Sequence, residues 1–142
     1  MKRFITAIMA SAFLLLATSA AYAQRPKSLE ENLLLSAVQK YNDKDYDAAR
    51  EALNEVLQKD QSCDAAWYYL AMTAVGKGEL ELCEEYFRKA VSLDGENFWY
   101  RYRLARLYAM TRRPELATSM YEDLVEDFPK KSELYLDLLD LY

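Results

Sequence analysis

Ala65-Ala66-Trp67-Tyr68-Tyr69-Leu70-Ala71-Met72-Thr73-Ala74 is the stretch whose reading decides the fold. Its Trp67, Leu70 and Ala71 return 34 residues later as Arg101, Leu104 and Ala105, and again as Tyr135, Leu138 and Leu139. Trp67, Leu70, Ala71 and Ala74 are spaced i, i+3, i+4, i+7, which puts them on one helical stripe and predicts a core seam. Tyr68, Met72 and Val75 fall on a different stripe of the same helix. Outward from this stretch the register is kept more strictly. Ala49, Cys83 and Ala117 are small, and four residues on Leu53, Phe87 and Tyr121 are large. Val56, Ala90 and Leu124 follow, and the units close at Asp60-Gln61, Asp94-Gly95 and Phe128-Pro129.

A period of 34 with W-x2-L, then A-x3-F, then P resembles the tetratricopeptide repeat, a stacked helical hairpin. The resemblance covers residues 30–142. It implies an all-α chain, a right-handed α-solenoid of antiparallel helix pairs. The units are 30–63, 64–97 and 98–131, followed by the partial unit 132–142, one extra helix. It says much about fold and little about function, because such arrays serve as binding scaffolds for unrelated partners.

Residues 1–23 read as a signal peptide rather than as part of the fold. Lys2 and Arg3 precede an apolar run from Phe4 to Ala17, and Ala21-Tyr22-Ala23 is a small-x-small cleavage site before Gln24. The run is shorter than the roughly 20 residues a membrane-spanning helix needs. No stable membrane insertion is therefore expected. The chain is read as exported, periplasmic or secreted, beginning at Gln24 after cleavage. N-terminal sequencing of exported material checks this, and a retained Met1 would contradict it.

The whole chain has 18 basic and 23 acidic residues; losing Lys2 and Arg3 leaves 16 against 23, a net charge of −7. That balance opposes non-specific binding to nucleic acid, which needs a basic field. There is no histidine, which removes Ser-His-Asp and Cys-His nucleophile pairs and the usual neutral-pH general base. Two cysteines cannot build a structural zinc site, and by register Cys63 and Cys83 lie too far apart for a disulfide. Gly76-Lys77-Gly78 lacks the strand, upstream glycine and Ser/Thr of a phosphate loop. Asp43-x-Asp45-x-Asp47 lacks the sixth-position glycine and twelfth-position glutamate of a calcium loop, having Ala48 and Asn54 there. No enzyme, cofactor or metal is expected.

Local signals place the helices. Ser28 with Glu31 three residues on reads as a capping box after a lead-in at residues 24–29. Helices are expected from there to Tyr41, from Tyr46 to Lys59, from Asp64 to Val75 and from Glu79 to Leu93. Three more run from Phe98 to Met110, from Pro114 to Asp127 and from Ser132 to Tyr142. Asp45 is placed to cap the second helix, and Pro114 suits a first helical turn.

By resemblance, positions two, five, nine and twelve of each unit line a concave groove. These are Ala65, Tyr68, Met72 and Val75, then Trp99, Tyr102, Arg106 and Ala109, flanked by Glu31, Leu34, Val38 and Tyr41 and by Glu133, Leu136 and Asp140. Arg101, Arg103, Arg106, Arg112 and Arg113 add a local basic patch. Aromatic residues and arginine together are what interface hot spots favour. Tyr68, Met72, Trp99, Tyr102, Arg103 and Arg106 are therefore the expected contacts for a protein or peptide partner. The family's carboxylate clamp, with Lys and Asn at positions five and nine, is not implied, because Leu34, Val38, Tyr68 and Met72 stand there. Two other readings stay open: a repeat segment that assembles with itself, or the docking part of a longer envelope protein. The residues from Ser132 to Tyr142 favour self-association, because Leu134, Leu138 and Leu141 are expected to dock while Leu136, Leu139 and Tyr142 stay exposed.

Overall fold

A computed structural model describes residues 28–142; the proposed signal peptide and most of the lead-in lie outside them. Seven helices and no strands occur among the described residues: α1 (Leu29–Asn42), α2 (Tyr46–Lys59), α3 (Asp64–Lys77), α4 (Leu80–Leu93), α5 (Phe98–Met110), α6 (Pro114–Asp127) and α7 (Ser132–Leu139). Each packs chiefly on its neighbours in the chain, and α1 also touches α3. The result is an all-α solenoid of helix hairpins. None of the described helices is long and apolar enough to cross a membrane.

The periodic positions form the core. Ala49, Cys83 and Ala117 have no exposed surface, and Leu53, Phe87 and Tyr121 at most 1%. A small residue lets the two helices of a hairpin approach, and the large one a turn later fills the space between hairpins. Leu70, Ala71 and Ala74 are buried as expected. Trp67 is a correction: the core stripe predicts it buried, but it is half-buried at the edge of the cluster around Leu53 and Leu70. Its Nε1–H donates to the Gln61 carbonyl at 3.0 Å, which holds the indole at the surface.

Helix ends follow from their residues. Ser28 Oγ accepts from the Glu31 N–H, and the Glu31 carboxylate accepts from the Ser28 N–H, a complete capping box. Asp45 caps α2 by accepting from the Ala48 N–H, and Pro114 opens α6. Both cysteines are free. Cys83 sits in the cluster with Ala71, and burial pushes its thiol up to about 11, so it is an inert packing residue.

The turn inside each hairpin repeats with the same period. Lys44, Gly78 and Arg112 all have left-handed backbone, with φ of 62°, 75° and 58°. The N–H of the next residue, Asp45, Glu79 or Arg113, reaches the carbonyl of Lys40, Ala74 or Tyr108 at 3.0, 2.9 and 3.0 Å. This closes the preceding helix in a Schellman motif. Only the middle unit uses the residue suited to that conformation. A Cβ at Gly78 would touch nothing within 4 Å, so Gly78→Ala isolates backbone strain and should cost about 1 kcal/mol. Lys44→Gly should raise stability by a few tenths of a kcal/mol, the strain relieved being partly offset by the extra freedom glycine gives the unfolded chain. Urea denaturation of the three proteins checks the order.

Adjacent hairpins are tied by a pair of periodic ion pairs with reversed polarity. Arg50 of α2 meets Glu79. One period on, Glu84 of α4 meets Arg113 at 2.8 Å. The Arg113 guanidinium holds the Glu84 carboxyl below its ordinary range. A third inter-hairpin tie is neutral to charged: Tyr100 donates its phenolic O–H to Asp64 Oδ2 at 2.7 Å.

Candidate partner-binding face

The first helices of the hairpins, α1, α3 and α5, lie side by side, and their facing stripes build the candidate site. Met72 and Val75 from α3 and Arg103, Arg106, Leu107 and Met110 from α5 line a cleft of 220 Å³, with Leu80 and Phe87 of α4 also lining it. Three of the six expected contact residues, Met72, Arg103 and Arg106, thus come together. Val75 is 43% and Met110 66% exposed, so the cleft opens onto apolar surface.

The two tyrosines do a different job. Tyr68 is half-buried, stacked on Tyr100 at 4.9 Å and against Phe87 at 5.9 Å, so its ring mainly joins two hairpins. Tyr102 stacks on Phe98 at 5.4 Å and meets Tyr121 edge-on at 6.1 Å. Burial first, and then Asp137 beside it, push its phenol above the ordinary value. Trp99 is 51% exposed and stands beyond Tyr102 on the same helix. Lys131 lies 5.5 Å from its ring centroid and 4.6 Å from that of Phe98, so a cation already partly covers this end.

The five-arginine patch divides, which corrects the sequence expectation. Arg101 pairs with Asp127 at 2.5 Å and is largely covered. Arg113 is bound to Glu84 and lies over the Tyr108 ring at 4.6 Å. Arg112 forms the left-handed turn. Arg103 and Arg106 alone of the five line the cleft, and among the described residues neither has a carboxylate within ion-pair distance. Arg106 is exposed, 5.9 Å over the Tyr102 ring. The Arg103 Nε is buried without a hydrogen-bond partner, and its charge is near enough to Tyr41 of α1 to oppose the rise that burial causes in that phenol.

Leu80, Leu107 and Met110 line the cleft, and Asp137 stands beside Tyr102, although none of the four is among the contacts expected from the repeat positions. Asp137 comes from α7, has one buried carboxylate oxygen without a partner, and adds to the rise that burial causes in the phenols of Tyr102 and Tyr121. Its repeat position is that of Arg103, one period earlier, and that was the available signal. Chemically, the face offers cations, aromatic edges and apolar surface. Among the described residues no cluster of three or more His, Cys, Asp or Glu could hold a metal ion.

Profiles described as tetratricopeptide repeat match residues 31–61, 64–97 and 100–131. The chain belongs to the tetratricopeptide repeat family. In this family's terms α1–α2, α3–α4 and α5–α6 are three helix pairs, and α7 is an additional helix. The type III secretion chaperone SycD of Yersinia enterocolitica, solved with a peptide of the translocator YopD, superposes with a TM-score of 0.74. Identity is 14%, covering 83% of this chain and 95% of that one. The first tetratricopeptide domain of Spaghetti (RPAP3), bound to the HSP90 peptide SRMEEVD, gives 0.72 at 17% identity, covering 79% and 89%. Among curated proteins, the protein O-mannosyl-transferase Tmtc3 of Drosophila melanogaster is 27% identical over 94 residues, 66% of this chain. This chain spans about a tenth of the length of that relative. The scaffold is of the kind typically used for protein–protein interaction.

Proposed function

We propose that this tetratricopeptide chain is an exported, non-catalytic scaffold that binds a protein or peptide segment along the face of α3 and α5. The observation that carries the reading is the pair of arginines, Arg103 and Arg106, lining an apolar cleft with no carboxylate partner among the described residues, in a chain of net negative charge. Among the described residues, the ion pairs between hairpins are all made by residues outside this cleft. An incoming Asp, Glu or terminal carboxylate would supply the missing partner, and a guanidinium donates to both of its oxygens in bidentate geometry. Tyr68 and Met72 stand where the family's carboxylate clamp has its polar residues, so recognition here would rest on Arg103 and Arg106 instead. The structural relatives crystallised or bound with peptides support a peptide-binding reading.

Arg106 is exposed, so Arg106→Glu should leave helicity and stability unchanged. It should weaken an acidic peptide bound in the cleft about 10- to 100-fold, equivalent to about 1–3 kcal/mol. Fluorescence polarisation with a panel of acidic, neutral and basic peptides reads the difference. Equal affinity of both proteins across the panel would remove the cleft from the binding site. Export rests on the signal-peptide reading of residues 1–23.

A second reading is favoured by α7. Leu136 and Leu139 on this helix, and Tyr142 just after it, are 64%, 69% and 83% exposed. A face of that kind marks an interface, so the chain would also assemble with a second copy of itself.

A further inference from the structure

A larger groove lies between α2 and α4, sharing no residue with the α3–α5 cleft, and has a volume of 810 Å³. Its two walls are helix stripes. Asn54, Gln58 and Gln61 come from α2 and the residues just after it, at i, i+4, i+7; Glu85, Arg88, Lys89 and Ser92 come from α4, at i, i+3, i+4, i+7. Trp67 and Leu57 lie between them. The hydrogen bond from Trp67 to the Gln61 carbonyl fixes the indole there, which explains why an expected core tryptophan is held at the surface.

We propose that this groove is a second binding site, for an extended peptide carrying an acidic side chain. Primary amides both donate and accept, as a peptide backbone does. On a helix, residues four apart are about 6 Å apart along the axis, close to the roughly 6.6 Å that two residues of extended chain span. Asn54 and Gln58 can therefore meet successive backbone amides on one edge of such a peptide. The opposite wall carries Arg88 and Lys89; Glu84 and Glu85 lie beside Arg88, which leaves Lys89 as the cation open to an incoming carboxylate. Arg88 has only a distant pairing with Glu84, at 3.8 Å, and Lys89 makes no ion pair among the described residues. A neutral sugar is the less fitting occupant, because Lys89 already lies over the Trp67 ring at 6.0 Å, on a face a pyranose would need.

Of the two tryptophans, Trp67 lines this groove and Trp99 lines neither site, so Trp67 emission reports on the groove and not on the α3–α5 cleft. A phage-displayed random dodecapeptide library would be selected on the full chain carrying Arg106→Glu, which disables the α3–α5 cleft. Enriched peptides, made synthetically, would then be titrated into the Trp99→Phe chain, where Trp67 emission is the only tryptophan signal. The expected result is peptides rich in Asp or Glu that change Trp67 emission. Lys89→Glu and Gln58→Ala, both at exposed positions, should each lower their affinity at least tenfold while Arg106→Glu leaves it unaltered. Absence of enrichment, affinity indifferent to Lys89→Glu, or displacement of the peptides by maltohexaose would overturn the proposal. Enriched peptides that bind without changing Trp67 emission would overturn it too, and the α3–α5 cleft is tested on its own by the acidic-peptide panel against Arg106→Glu, so the two sites succeed or fail separately.

Discussion

Phe87→Ala should cost about 3–5 kcal/mol, the range for a buried phenylalanine removed from a packed core. Phe87 is 1% exposed and belongs to the cluster joining Ala71 and Ala74 of α3 to Leu104, Ala105 and Leu107 of α5. Its ring fills space inside one hairpin and between two, so neither can relax into the void without moving the other. Against a typical total of 5–15 kcal/mol, such a loss uncouples the second and third repeats. Trp67→Ala is the control. The larger side chain is only half-buried, so its loss should cost roughly half as much, about 2 kcal/mol. Chemical denaturation followed by circular dichroism ranks them; a Trp67→Ala loss equal to that of Phe87→Ala would contradict the burial assignment. Phe87 also lines the α3–α5 cleft, so its removal should weaken binding in that cleft as well, whereas Trp67→Ala, which lies outside it, should not.

The second large effect concerns oligomeric state. Leu134 of α7 is fully buried, and Leu138 and Leu141 pack on the same core cluster. That docking leaves Tyr135, Leu136, Leu139 and Tyr142 exposed. The Tyr142 phenol is tethered to Glu122 of α6 at 3.0 Å, which keeps this edge in place. An ordered apolar face of this kind favours pairing with a second copy. Sedimentation over a concentration series should therefore show reversible self-association, and Leu136→Lys with Leu139→Glu should return the chain to monomer without loss of helicity. A wild-type chain that stays monomeric at high concentration would refute the self-association reading.

The sequence alone carried the repeat. The small residues Ala49, Cys83 and Ala117, and the large ones Leu53, Phe87 and Tyr121, marked the positions where hairpins meet, and all six are buried. This legibility has a simple cause: each hairpin buries its face only against a neighbour of the same geometry, so the same sizes recur at the same spacing. Helix limits followed from caps and turn residues at Ser28, Asp45 and Pro114, because these act within one or two turns. Three features of the assembled array were not legible. The Arg50–Glu79 and Glu84–Arg113 pairs hide from any search for like residues, because their charges reverse from one unit to the next. Arg101 and Arg106 belong to one arginine-rich helix, yet Asp127 pairs with the first, and among the described residues no carboxylate pairs with the second. Trp67 sits at a core position, yet Gln61 and Lys89 hold it in a groove. Helical spacing states which face a side chain is on; whether that face is covered depends on side chains from outside that helix. Their size and charge are not set by the period, and only the packed structure brings them together.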